Sequence, residues 1–298
     1  MVDGVVSLMI RLHLSKILRI VYFNQKAYHY WSVNFMNILV CLKQVPESNN
    51  VEVDPVTGVL KRGSSGSKMN PYDLYALETA IKLKEEHGGT VSVITMGPPQ
   101  AKSILFEAFA MSADEGALIT DRKFGGADVL ATSYTLAQGI KAFGNFDVII
   151  CGLQTTDGDT AQVGPEVSEM LGIPCVCNVK EIVEVKDNSM IVDMDMSEDI
   201  ERLEIKYPCL ITVQKDICQP RLPSYVKKKA TEKKEIKIFT LQDMVDKDEH
   251  HYGLNASPTQ VQRIFSPTSD KEQEKIVGNA DEVTDVIFKK LKNKKFVF

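Results

Sequence analysis

A chain of 298 residues with 44% hydrophobic and 25% charged side chains has the make-up of a soluble globular protein, with room for one large or two small domains. Its net charge of -5 conceals an asymmetry: residues 1–35 carry Arg11, Lys16, Arg19 and Lys26 against Asp3, leaving 31 bases against 39 acids in the rest. A body this acidic is a poor ligand for a polyanion, which sets nucleic acid aside as a partner.

In the first 35 residues the apolar run Leu8, Ile10, Leu12, Leu14, Ile17, Leu18 is broken by Arg11, Lys16 and Arg19. It is neither a membrane span nor a secretory signal. A basic amphipathic helix is one reading, and a translation start placed ahead of Met36 is the other; either way this segment, with Trp31, is expected to pack loosely. From Met36 strand-like and helix-like runs alternate: strand 37–43, a hairpin around Asp54–Gly58, helix 71–87, strand 90–95, helix 98–111, strand 116–120, helix 126–143, strand 146–151 and helix 160–171. Helix 71–87 has Asn70 as a cap, Pro71 in its first turn and Gly88-Gly89 as its stop. The alternation predicts right-handed βαβ crossovers, hence a Rossmann-like, mainly parallel α/β sheet with helices on both faces. Short runs at 179–185, 190–196, 201–205 and 210–213 then predict antiparallel strands added at one edge. Lysine-rich residues 226–237 read as a solvated arm, and Val283, Val286, Ile287 and Leu291 mark a terminal helix.

The stretch from Cys151 to Pro165 concentrates the candidate chemistry. It leaves the β-branched run Val148-Ile149-Ile150 and opens a helix, the place where α/β proteins hold phosphate. Its small residues let backbone N–H groups approach an anion, and Thr155, Thr156 and Thr160 add hydroxyls. A plain polar loop would read the same way. In the loop Thr120–Asp128, Arg122 and Lys123 can meet phosphate, and Gly125 and Gly126 permit close approach, although a glycine-rich turn explains the same letters. Together the two loops suggest one crevice wide enough for a dinucleotide. The six cysteines form no C-x-x-C pair and read as reduced, buried thiols of a cytoplasmic protein; Cys175 and Cys177 share a strand face without a third ligand, which favours a structural role over a metal or redox one. None of the five histidines is placed for a metal triad or a Ser-His-Asp arrangement.

The segments MNILVCLKQVP (36–46), MNPYDLYALETAIKLKEE (69–86), VSVITMGPPQA (91–101), AMSADEGALITD (110–121), DGDTAQVGP (157–165) and QPRLPSYVKKK (219–229), in this order and spacing, resemble the β subunits of electron transfer flavoproteins over nearly all of residues 36–298. One departure is the stretch Met194–Asp199, which lacks the family's usual basic residue. The resemblance implies a nucleotide pocket built from Cys41, Asn70, Pro71, Tyr72, Asp73, Met96, Cys151, Gly152, Gln154, Thr155, Asp157, Gly158, Asp159, Thr160, Ala161, Gln162 and Val163, to which the second loop would add Arg122, Gly125, Gly126 and Asp128. Conventional members hold AMP there and carry one FAD mainly on the α subunit. Electron-bifurcating members, which GDTAQVGP, TMGPPQA, TDRKFGGAD and GLNASPTQ look more like, hold a second FAD that takes hydride from NADH. One electron then goes to ferredoxin or flavodoxin and the other, through the α-subunit FAD, to a dehydrogenase of acyl-CoA or 2-hydroxy acid type. The resemblance further implies a dehydrogenase-docking loop at 215–223 with Ile217, Pro220 and Arg221, for which a buried corner is the plainer alternative. It divides the chain into an extension (1–35), a Rossmann-like domain (36–225) and an arm (226–298) that wraps the α subunit. A free-standing adenine-nucleotide enzyme or sensor such as an ATP pyrophosphatase would want S-G-G-x-D after the first strand, where Cys41-Leu42-Lys43-Gln44 stands.

Overall fold

The computed structural model describes residues 35–47, 66–262 and 274–297. The extension up to residue 34, with Trp31, and the 54–58 hairpin lie outside them. A nine-stranded sheet organises the body. Its first strand, β1 (Met36–Leu42), is buried at six of seven positions, and the chain then makes a small antiparallel pair, β2 (Gln44–Pro46) with β3 (Ser67–Met69). That pair returns the chain to the end of β1, where Asn70 N–H donates to the Lys43 carbonyl at 2.9 Å. Helix α1 (Pro71–His87) follows, with proline in its first turn and Gly88 at φ 79 as its stop. Asn70 occupies the cap position but its side chain does not cap the helix; it is engaged elsewhere.

The alternation continues as β4 (Gly89–Met96), α2 (Lys102–Met111), β5 (Glu115–Ile119), α3 (Val129–Phe143), β6 (Val148–Gly152) and α4 (Val163–Leu171). Three helices begin later than their periodicity predicts, each for a local reason. Pro98 and Pro99 lead into a single 3-10 turn ahead of α2. Gly126 adopts φ 75 before Asp128 caps α3 through the Ala131 N–H. Asp159 and Ala161 take left-handed φ values of 53 and 56 before α4. The meander β7 (Cys175–Val185), β8 (Ser189–Asp195), β9 (Ile200–Lys206) precedes β10 (Cys209–Val213). Beyond it come α5 (Tyr225–Thr231) and β11 (Lys237–Phe239).

The strand order is β11-β5-β4-β1-β6-β10-β7-β8-β9, parallel from β11 through β7 and antiparallel for β8 and β9. This is the expected Rossmann-like α/β sheet, but of the four runs expected as antiparallel edge strands only β8 and β9 are antiparallel: β7 runs parallel to β10, and β10, mostly apolar and buried at all five positions as a central parallel strand requires, lies inside the sheet. One apolar cluster joins the sheet to α1 and α2 through Leu77, Ile81, Leu105 and Phe109; the other joins it to α3 and α4 through Leu136, Ile140 and Val167. Each such side chain contributes about 1.5–3 kcal/mol on burial.

The body does not stop at residue 225, which corrects the expected boundary. Ser224 caps α5 and donates its N–H to the Ala110 carbonyl at 3.0 Å, while Lys234 lies over the Phe109 ring. β11 pairs with β5, and Leu241, Met244 and Tyr252 are buried with the α3 cluster. The compact unit containing the sheet therefore runs on to Gln262. A second unit includes α6 (Ala280–Asn293), an amphipathic helix with a capping box formed by Asn279 and Glu282. Among the described residues no helix is long and apolar enough to cross a membrane.

Candidate nucleotide crevice at the strand switch point

From β1 the chain builds outward through β4 and β5, then returns to place β6 on the other side of β1. The loops after β1 and β6 therefore diverge, and the gap between them is the switch point at which open α/β sheets bind ligands. Cys41 and Cys151 are register partners at its floor. Both are buried, and the Cys151 thiol is pushed up by its contact with Cys41 and by burial.

Asp73 is the hub of this gap. Its carboxylate accepts from the Lys43 backbone N–H at 2.6 Å and from Asn70 Nδ2 at 2.8 Å. Asn70 in turn donates to the Gln154 carbonyl at 2.9 Å and accepts from the Thr156 N–H at 3.3 Å, so the start of α1 is tied to the loop after β6. Gln154 Nε2 donates to the Tyr72 hydroxyl at 3.1 Å. Burial raises the Asp73 carboxyl to about 7 against the lowering pull of Asn70 and Lys43. Gly152 is required by this closeness: a Cβ there would stand 2.5 Å from Asp73 Oδ1 and 2.7 Å from the Tyr72 backbone.

Lys43 Nζ pairs with Asp157 at 2.7 Å and reaches Thr155 Oγ1 at 3.5 Å. The Thr155 hydroxyl also accepts from the Gly158 N–H at 3.3 Å, and the Asp157 carboxyl is held below its usual range by Lys43 against the raising effect of burial. Residues from Thr156 to Gln162 are exposed, and no side chain caps α4. Exposed residues with hydroxyls at Thr156 and Thr160 thus lead into the start of a helix, and one lysine stands at the beginning of the same loop, a donor set that suits an anionic nucleotide. Sequence reasoning did not single out Lys43. Its signal was a lone cation at the end of the first apolar strand.

The expected pocket residues divide in two. Cys41, Asn70, Pro71, Tyr72, Asp73, Cys151, Gly152, Gln154, Thr155, Asp157, Gly158, Asp159, Thr160, Ala161, Gln162 and Val163 gather around the gap between β1 and β6. Met96 ends β4, one strand from β1, and packs against the α3-side cluster. Arg122, Gly125, Gly126 and Asp128 stand after β5, two strands from β1, about 10 Å across the sheet. There residues 253–259 tie down part of the loop: the Leu254 N–H donates to the Gly125 carbonyl at 3.0 Å, and Asp128 accepts from the Thr259 N–H and hydroxyl at 3.0 and 2.8 Å, while Arg122, Gly125 and Gly126 are exposed. Gly253, at φ 59, lies so close that a Cβ would overlap the Lys123 carbonyl.

The docking-loop residues make intramolecular contacts. Arg221 binds Glu78 through Nε at 2.8 Å and Nη2 at 2.9 Å, and Glu85 through Nη1 at 2.6 Å. Ile217 packs on the α1-side core, contrary to the expectation that it has little local core to join, and Pro220 is half-buried beside it. Leu222, by contrast, is 89% exposed. The cysteines are not all buried: Cys175, Cys177 and Cys218 are half-buried. Among the described residues no group of three or more potential metal ligands occurs.

Sheet order, crevice position and donor set define a doubly wound α/β protein with an anion-receptive switch point. Comparison with known proteins assigns the family. A model of the electron transfer flavoprotein domain matches residues 57–244. The electron transfer flavoprotein subunit beta of Clostridium acetobutylicum is 45% identical over 262 residues, covering 88% of this chain and 100% of that protein. Subunit CarD of the caffeyl-CoA reductase-Etf complex of Acetobacterium woodii is 44% identical over 264 residues, 88% of this chain and 100% of its own. Protein FixA of Azorhizobium caulinodans is 38% identical over 266 residues, 86% and 95% of the two chains. The chain belongs to the electron transfer flavoprotein β-subunit family.

Proposed function

We propose that this chain is the β subunit of a heterodimeric, electron-bifurcating electron transfer flavoprotein of the cytoplasm, with FAD held in the crevice between β1 and β6. Likeness over 88% of the chain to a subunit of a caffeyl-CoA reductase-Etf complex carries this reading, because that name joins the flavoprotein to an acyl-CoA-type partner. The chemistry that bound FAD supplies is acceptance of hydride from NADH and release of two single electrons, one to ferredoxin or flavodoxin and one through the α-subunit FAD to a partner dehydrogenase. The residues present fit the group: Gly152 lets the start of α1 close against the end of β6 at the crevice, and the loop from Thr155 to Val163 offers backbone and hydroxyl donors to phosphate. Lys43 supplies positive charge to the same loop. Arg122 and the loop around Gly125, Gly126 and Asp128 add a second contact, held by the 253–259 segment. No general base is assigned, since hydride transfer asks none of the protein.

In this reading the dehydrogenase of acyl-CoA or 2-hydroxy acid type docks on the 215–223 loop. Ile217 and Arg221 fix the loop to the α1 side and leave Leu222 outward, with Pro220 between them. The unit containing α6 contacts the α subunit.

Flavin and AMP extracted from the complex with the α subunit, followed by anaerobic NADH titration, test the proposal. Two FAD per heterodimer, no AMP and bleaching by NADH are expected. One FAD with one AMP and no response to NADH would make the protein a conventional carrier of single electrons, and neither ligand would favour a free-standing sensor.

A further inference from the structure

Two thiols that the crevice does not use lie in contact. Cys175 Sγ and Cys177 Sγ are 3.8 Å apart near the start of β7, both half-buried. The strand is not flat there. Its register with β10 shifts between Ile211 and Val213, and Asn178 takes φ 55. Such a bulge re-aims side chains and breaks the pleat next to Cys177.

Thr212 connects the pair to the helix that opens the phosphate-type loop. Its side chain is buried, and its hydroxyl accepts the N–H of Asn178, the residue after Cys177, at 3.1 Å. On its other side a Cβ on Gly164 would stand 2.6 Å from Thr212 Cγ2, so the first turn of α4 rests directly on this threonine. The two thiols are also chemically unequal. The hydrogen bond from Cys175 holds Cys177 below the ordinary thiol range against burial, with help from Thr212, while the same contact and burial push Cys175 up. An acidic thiol beside a neutral one is the arrangement of an attacking and a resolving cysteine.

We propose that Cys175 and Cys177 form a reversible dithiol–disulfide site oxidised by hydroperoxides and placed to act on the first turn of α4 through Thr212. In the first step the Cys177 thiolate attacks one peroxide oxygen; the O–O bond breaks, a sulfenic acid forms and hydroxide leaves. In the second step the Cys175 sulfur attacks the sulfenic sulfur, its proton leaves with the hydroxyl as water, and the S–S bond closes. Two thiols lose two electrons to one hydroperoxide, and a dithiol reductant reverses the bond by exchange. Two strand rises separate the Cα atoms of an extended i, i+2 pair by about 6.6 Å, the upper end of the disulfide range of roughly 4.4–6.8 Å. Closure therefore contracts β7 locally, and strained bonds of this kind are the readily reduced ones.

The test treats the full-length protein with stoichiometric hydrogen peroxide, alkylates the remaining thiols and maps them by mass spectrometry. The expected result is a loss of two hydrogens, protection of two thiols both within 175–177, and recovery with dithiothreitol. Cys175→Ser is expected to leave a sulfenic acid at Cys177 that dimedone captures, and Cys177→Ser to abolish both products. Amides of residues 163–168 are expected to exchange faster in the oxidised form. Six alkylatable thiols after peroxide, a bond joining Cys41 to Cys151 or two chains, or unchanged exchange in α4 would overturn the proposal. The wild-type map stands even if a serine variant fails to fold.

Discussion

Asp73 shows how one buried side chain can set the character of a binding crevice. The folded chain holds its proton up to about 7, whereas the unfolded chain releases it near 3.8, so between those values the folded state carries the extra proton. Raising the pH through this window therefore destabilises the fold, by at most about 4 kcal/mol on linkage grounds. The expected outcome is a melting temperature that falls as pH rises from about 4 to 7 and levels off above it. Asp73→Asn should flatten that slope. It should also cost about 1–3 kcal/mol at pH 6, because its amide NH2 would face either the Lys43 N–H or Asn70 Nδ2. A pH-independent wild-type melting curve would remove Asp73 from this role. Gly152→Ala is expected to destabilise by about 1–3 kcal/mol in urea unfolding and to abolish nucleotide retention, since the methyl collides with Asp73 and the Tyr72 backbone. Asn70, Asp73 and Gly152 became candidates through the family resemblance, and their places at a strand end and a helix start agreed with it. The hydrogen bonds that tie them to the loop after β6 were not legible, for these join positions more than 80 residues apart, such as Asn70 and Gln154.

At the scale of elements, α1 is anchored from the outside by Arg221. Both carboxylate oxygens of Glu78 face this guanidinium, and the Glu78 side chain is only 3% exposed. Arg221→Ala strands a buried carboxylate and should cost about 2–3 kcal/mol, at or just below the range of about 3–5 kcal/mol for broken buried pairs because Arg221 itself is partly solvated. Glu85→Ala removes an exposed partner and should cost below about 1 kcal/mol. Urea unfolding of the two variants gives the ordering, and equal costs would refute it. The strands and helices themselves were readable from periodicity, and α1 from its proline and glycine punctuation. Where helix starts were misjudged, the cause was backbone at Gly126, Asp159 and Ala161 that leaves the helical region without altering the apolar pattern. Short 3-10 turns such as Glu249–His251 carry too few residues to show a period.

For the whole molecule, a boundary read at residue 225 misses the return of the chain to the sheet. β11 is three residues long and follows a run of lysines, so nothing in its composition announces a strand. Its consequence is testable by truncation. A chain ending after Gln262 keeps β11, Leu241, Met244 and Tyr252, and should melt cooperatively. A chain ending after Ile236 uncovers the edge of β5 and the α3-side core, and should aggregate or bind a hydrophobic dye. Similar melting of both truncations would show that the returning segment adds little.

β10 has an implication for how this chain comes to exist. It lies between β6 and β7, every one of its five residues is buried, and it is made after the entire β7–β9 meander. A chain leaving the ribosome thus holds two half-sheets with unpaired inner edges until a single late strand inserts between them and closes both. Pairings of such long sequence separation are slow to form. The birth of this protein therefore passes through an interval in which two sticky edges depend on shelter, and the length of that interval is set by how late β10 is translated.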